Sequence, residues 1–260
     1  MTSNLCTRRS HSFDAPATPG IDIWLAHYRQ FTDQPRLRAV LSPAERDKEQ
    51  RFHFADDRMR YLVTRALVRG TLSRYAPVAP DQWRFEDTPF GQPRIANAEP
   101  ECAGLAFNIS HTGGLIALAV TRERALGIDV ENVTARHSSE GIARRFFSAA
   151  EVAALEAVPP ALRHERFFEY WTFKEAYIKA RGMGLSLPLE RFTIHFPQDD
   201  EVRLEIDPEL GDDPQRWCLW QLRPAPGYLL ALCAERKNTA VPAVTVWTAV
   251  PGTEGDLFGV

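Results

Sequence analysis

The chain has only four cysteines in 260 residues, Cys6, Cys102, Cys218 and Cys233. No pair has the C-x-x-C spacing, and none joins histidines in a zinc-ligand pattern. That argues against a disulfide framework and for reduced thiols in a cytoplasmic protein. Apolar runs long enough to span a bilayer are missing, so no membrane association is expected. An excess of basic charge is missing too. Lys and Arg number 31 against 34 Asp and Glu, a formal net charge of -3, which disfavours a globally basic nucleic-acid binder. Residues 1–20 lack the hydrophobic core of a secretory signal and read as a disordered leader.

What remains is ordinary globular material, 44% hydrophobic and 25% charged, enough for one large domain or two small ones. One plan recurs. An apolar stretch, Ile21–Leu25, precedes Ser42–Pro43, a helix cap followed by a helix start, and then a long helix predicted over Arg58–Arg74. An extended apolar run, Leu115–Val120, closes this copy. The second copy runs from Leu126–Glu131 through Ser148, placed with Glu151 for a capping box, to a long helix over His164–Arg181 stopped by Gly182. Strand-like segments follow at Phe192–Phe196, Val202–Ile206, Trp217–Leu222 and Tyr228–Cys233. The pattern predicts two similar α+β halves, 21–122 and 123–237, meeting at a pseudo-twofold interface, with 238–260 as a loosely attached tail.

Several segments could carry chemistry. If Gly127–Glu131 is a strand, Asp129 and Glu131 share a face. Adjacent carboxylates repel unless a cation lies between them, and all-oxygen ligands suit magnesium or calcium. Such a pentapeptide is more often a solvated strand face. On the aromatic-rich second helix, Glu175 and Lys179 are four residues apart and share a face. An exposed pair is the usual reading, but charges in a buried helix need partners. Ser110, His111 and Thr112, before Gly113–Gly114, read as a turn able to hold phosphate oxygens, or as an ordinary turn. Arg46, Lys48, Arg51, Arg58, Arg60, Arg65, Arg69 and Arg94 form either a solvated basic face or a polyanion collector.

Taken together, these blocks resemble one family. Phe107-Asn108-Ile109-Ser110-His111-Thr112, Gly127-Ile128-Asp129-Val130-Glu131, Phe146-Phe147-Ser148-x-x-Glu151 and Trp171-x-x-Lys174-Glu175-Ala176-Tyr177-x-Lys179-x-x-Gly182-x-Gly184-Leu185-Ser186 are similar to the signature blocks of phosphopantetheinyl transferases of the Sfp-type class. The resemblance implies the pseudo-dimeric α+β fold of that family, with the active site between the halves. It assigns Asp129, Glu131 and Glu175 to Mg2+, and Lys179, Ser110, His111 and the retained Lys48 to coenzyme A. Glu175, Lys179 and His111 are the catalytic candidates. Gln92, Tyr61 and Glu45 depart from the residues often found at their positions.

The implied reaction is attack of a serine of an apo acyl or peptidyl carrier protein on the β-phosphorus of coenzyme A, releasing 3′,5′-ADP, as in a holo-[acyl-carrier-protein] synthase. Nonribosomal peptide, polyketide or siderophore synthesis is the expected setting, and the enzyme is expected to be a monomer. Glu175 could be ligand, base or both. Two rival readings remain. One is a metal-dependent phosphodiesterase using the same carboxylates on water. The other is a non-catalytic module that binds coenzyme A or a carrier.

Overall fold

A computed structural model describes residues 6–7, 20–135, 139–198, 201–237, 240–252 and 257–259. In chain order the strands and α-helices are β1 (Cys6–Thr7), β2 (Ile21–Ala26), α1 (Gln34–Ala39), α2 (Pro43–Gln50), α3 (Ala55–Leu72), β3 (Phe85–Asp87), β4 (Pro93–Ile95), β5 (Leu105–Thr112), β6 (Leu115–Arg122) and β7 (Leu126–Asn132). They continue with α4 (Ser139–Phe146), α5 (Ala149–Ala157), α6 (Pro160–Arg181), β8 (Phe192–Gln198), β9 (Glu201–Ile206), β10 (Trp217–Leu222), β11 (Tyr228–Glu235), β12 (Val244–Pro251) and β13 (Phe258–Gly259).

The chain forms two compact units. Unit 1 comprises 1–87, 93–123 and 242–260; unit 2 comprises 88–92 and 124–241. The division departs from the expected boundaries in two places. Thr88–Gln92 belongs with unit 2. The expected tail is part of unit 1, because β12 pairs in parallel with β2 over the whole length of β2, Val244 opposite Ile21 and Ala249 opposite Ala26. Phe258 of β13 is buried and packs on Phe31. The consecutive β-branched residues Val244-Thr245-Val246 are the strand signal in this segment. Of the expected leader, most residues lie outside the described ones, but Cys6–Thr7 pairs with β12.

In unit 1 a sheet of order β1-β12-β2-β6-β5, with β13 on β12, packs against α3. The apolar stripe predicted for that helix is its buried face, with Leu62, Val63, Ala66 and Leu67 fully inside. In unit 2 the sheet β10-β11-β7 packs against α6, whose Phe167, Phe168, Tyr170, Phe173 and Tyr177 fill the core. Both predicted capping boxes form, at Ser42–Glu45 and at Ser148–Glu151. Gly182 ends α6 in the left-handed region, φ 64°, where a residue with a Cβ is strained.

The units share one connectivity. In each, a strand is followed by a capped helix, a long helix and a two-stranded hairpin, and then by an antiparallel strand pair whose second member pairs with the first strand. Thus β2 answers to β7, α3 to α6, and β5–β6 to β10–β11. The duplication that the sequence hinted at is therefore a property of the topology.

Candidate active site

The site residues of unit 2 meet because β7 and α6 approach unusually closely. A Cβ on Gly127 would lie 2.1 Å from the Ala176 carbonyl oxygen and 2.4 Å from the Ala180 nitrogen. Only glycine permits that approach. Ile128 and Val130 lie on the face of β7 turned away from α6 and are fully buried. Asp129 and Glu131 share the other face of β7, Asp129 buried and Glu131 half-buried.

From α6, Lys179 reaches across. Its Nζ donates to Asp129 Oδ1 at 2.7 Å and to the Ile128 carbonyl oxygen at 3.0 Å. The helix pair expected between Glu175 and Lys179 is therefore not the lysine's main engagement; its hydrogen-bonded partner is on the strand. Glu175 is half-buried beside them, and its carboxyl is pushed up to about 7. Burial is the largest cause and the Asp129 charge the next, while Lys179 pulls the other way.

Among the described residues, no three His, Cys, Asp or Glu side chains are gathered as a ready metal cage. The expected ligand set is thus present as neighbouring carboxylates rather than as a closed site. Its chemistry nonetheless fits a hard divalent cation. The donors are all oxygen, and the repulsion that raises Glu175 is what a cation beside Asp129 would relieve.

Sequence reasoning missed Lys174. It is fully buried and donates to Glu151 Oε2 at 2.6 Å and to the Phe192 carbonyl oxygen at 2.8 Å, with its ammonium 4.2 Å from the Phe192 ring centroid. Burial pushes the ammonium down to about 8 against the pull of Glu151. Glu151 is itself buried, and a buried carboxylate needs a cation, but a capping box forms equally well on a surface and gives no sign of that burial. Gln92, where a lysine is often found, donates to the Lys179 carbonyl oxygen at 3.3 Å near the end of α6.

The remaining candidates belong to unit 1. Ser110 and His111 lie within strand β5, not in a turn, and alternate accordingly, Ser110 buried and His111 exposed. The turn falls at Gly113–Gly114 instead, where Tyr28 Oη accepts from the Gly114 N–H at 3.1 Å. Lys48 is exposed on α2 with its ammonium 5.6 Å from the Tyr61 ring centroid. Several of the arginines suggested as a polyanion face are engaged within the fold. Arg65 and Arg69 bridge Glu45, Arg60 pairs with Asp57, and Arg94 with Glu86. Arg46 stays exposed on α2.

Comparison with known proteins places the chain in a family. Residues 125–233 match the 4′-phosphopantetheinyl transferase superfamily, and residues 24–123 match the N-terminal domain of 4′-phosphopantetheinyl transferases. The chain is 34% identical over 197 residues to the 4′-phosphopantetheinyl transferase HetI of Nostoc sp. (strain PCC 7120 / SAG 25.82 / UTEX 2576), covering 74% of this chain and 79% of the relative. It is 34% identical over 202 residues to the 4′-phosphopantetheinyl transferase Sfp of Bacillus subtilis (strain 168), covering 78% and 85%. The hydrolytic reading of the carboxylates finds no support in these similarities. The chain belongs to the 4′-phosphopantetheinyl transferase superfamily.

Proposed function

We propose that the chain transfers 4′-phosphopantetheine from coenzyme A to a serine of an apo acyl or peptidyl carrier domain, leaving 3′,5′-ADP. The observation that carries this reading is the cluster of Asp129, Glu175 and Lys179 on β7 and α6, within the segments that resemble the family's signature blocks. Asp129, Glu131 and Glu175 would hold Mg2+. When bound, the ion would supply Lewis acidity and charge neutralisation at the pyrophosphate.

The protein's own groups account for the rest. Lys179, held by Asp129, presents a compact positive charge suited to an oxygen that gains charge as the bond to ADP breaks. Glu175 is also placed to accept the proton of the attacking serine through an oxygen not engaged by the ion. Ser110 and His111 on β5 and Lys48 on α2 are assigned to the coenzyme A phosphates, as hydrogen-bond donors and a mobile charge. Arg46 beside Lys48 is a further candidate for the 3′-phosphate. A monomeric enzyme in the cytoplasm suits Cys102, Cys218 and Cys233, which are free thiols in the core.

The test is mass spectrometry of several purified apo carriers incubated with the enzyme, coenzyme A and Mg2+. Addition of one phosphopantetheine to the carrier is expected. Release of free phosphopantetheine without carrier modification would overturn the reading. The set of carriers modified distinguishes nonribosomal peptide, polyketide, siderophore and fatty-acid carriers as the physiological class.

A further inference from the structure

Among the described residues, two of the open strand edges of unit 2 are those of β10 and β9. β10 pairs with β11 alone, and β9 pairs with β8 alone. In an antiparallel pair, every second residue turns its N–H and C=O away from its neighbour. Each edge therefore presents a row of outward main-chain donors and acceptors.

Both edges line the same cleft. Val202, Arg203 and Leu204 come from β9, and Trp217 to Trp220 from β10, around a volume of 810 Å³. That is within the span of ordinary ligand clefts, about 300–1,000 Å³. Trp220 is half-buried, and Val241 at the rim is 59% exposed. The cleft thus has apolar surface next to its main-chain edges.

Its charge is one-sided. Arg203, Arg216 and Arg236 line it, against one carboxylate, Asp213. Arg216 is engaged by Glu235 and Asp212. Arg203 and Arg236 are exposed, and no carboxylate of the described residues forms an ion pair with either.

We propose that this cleft takes an extended acidic peptide, which adds as a strand to the edge of β10 and sets its carboxylates against Arg203 and Arg236. Main-chain pairing would supply affinity and the alternating side chains specificity, as in other strand additions. The occupant is an acidic segment flanking the serine-bearing domain of the acceptor protein. The source of the peptide, though not its binding, rests on the transferase reading above. The cleft is built from β9, β10 and the adjoining turns, apart from the carboxylate cluster on β7 and α6, so tethering here would lower KM for the acceptor and leave kcat alone.

The experiment uses the full chain and a labelled peptide of four Val-Glu repeats, with binding followed by anisotropy at low salt. Saturable binding is expected, with a four-fold Val-Lys repeat failing to bind. Arg203→Glu combined with Arg236→Glu should weaken binding tenfold or more. A Val-Glu peptide N-methylated at alternate residues should lose binding too, which tests strand pairing without altering the protein. Equal binding of the acidic and basic peptides, or indifference to the double substitution, overturns the proposal. So does a protein that sediments as a dimer split by the same substitution, because a second copy would then occupy the cleft. A modifiable carrier bearing an acidic tail should show a lower KM than the same carrier without it. If transfer itself were misassigned, neither carrier would be modified whether or not the peptide bound.

Discussion

Asp22 and Asp129 stand at the same place in two copies of one plan, each on the third residue of a Gly-Ile-Asp run in the strand that pairs with the closing hairpin. Their surroundings differ. Asp129 faces an ammonium, Lys179. Asp22 is bound by neutral donors, Tyr75 Oη at 2.7 Å and Trp247 Nε1 at 3.0 Å, and burial pushes its carboxyl up. Where unit 2 has Glu131, unit 1 has Trp24, stacked on Trp247 at 5.5 Å. Counting from the buried cation of each copy, Gly70 answers to Glu175 and Arg74 to Lys179. A Cβ at Gly70 would lie 3.0 Å from the Phe258 ring, so the covering strand leaves no room for a carboxylate there. The two copies thus share a plan but not a carboxylate cluster, which is why function is read from sites and not from folds.

The copies also solve one structural problem with different cations. Glu45 of the first capping box is bridged by Arg65 and Arg69, and Glu151 of the second by Lys174 alone. Burial raises the Glu45 carboxyl, but Arg65, the Ser42 N–H and Arg69 outweigh it and hold it below the usual range. Redundancy in unit 1 contrasts with a single, fully buried pair in unit 2.

The sharpest way to break this comparison is to remove the paired aspartates in turn. Asp129→Ala should lower transfer by at least about a hundredfold with the fold retained. Asp22→Asn should leave turnover within about twofold and cost about 1–3 kcal/mol of stability, since Tyr75 Oη and Trp247 Nε1 lose a carboxylate acceptor. Circular dichroism melts and steady-state rates on both variants separate the roles. Equal loss of activity in the two would refute the division of labour.

Lys179→Ala should reduce kcat by about 10²-fold and change KM for coenzyme A less, because its charge matters most as the ADP oxygen becomes negative. Lys179→Arg should recover only part of the rate, the guanidinium being planar and larger. An unaltered kcat would make Lys179 a structural partner of Asp129 only.

The buried cations give the next contrast. Lys174→Met strands Glu151 in the core and should cost about 3–5 kcal/mol. Arg69→Met should cost less, because Arg65 still neutralises Glu45. Urea midpoints of the two variants provide the check, and the reverse order would show that redundancy gives no protection.

The smallest effect is one of pH. With its folded carboxyl at about 7 and an ordinary unfolded value of 4.5, Glu175 binds a proton in the folded state across the interval where the unfolded chain has released it. Its contribution is therefore present in full below 4.5 and is lost as pH rises towards 7. In chelator, stability should decline over that interval. Glu175→Gln should flatten the decline, and Mg2+ should stabilise the wild type more at pH 8 than at pH 6. Gly70 gives unit 1 no counterpart to Glu175, and the raised carboxyl that unit 1 does hold, Asp22, is removed separately in Asp22→Asn.

Much of this was legible in the sequence. Ser42 and Ser148 announce their helices because a cap is a local interaction, and the long helices follow from apolar periodicity. Asp129 and Glu131 fall on one face because strand alternation is fixed by the backbone. Three features were not legible. The engagement of Lys179 by Asp129 spans 50 positions and depends on how closely Gly127 lets β7 approach α6. The Lys174–Glu151 pair is hidden among residues that would serve equally well on a surface. Ser110 and His111 resemble a turn because of the glycines after them, but pairing with β6 extends the strand as far as Thr112. Tertiary pairing, which single-residue preferences do not encode, decides all three.

The parallel pairing of β12 with β2 also bears on how the protein is made. Ile21 and its partner Val244 are 223 positions apart, a delay of roughly 10–45 s at bacterial-to-eukaryotic translation speeds of about 5–20 residues per second. Throughout that time the outer edge of β2 lacks its final neighbour, and the site over Gly70 lacks Phe258. Unit 2, nearly contiguous in the chain, has all its strands in hand before β12 leaves the ribosome. A chain released after Lys237 should therefore hold a protease-resistant second unit and a first unit still open at its sheet edge.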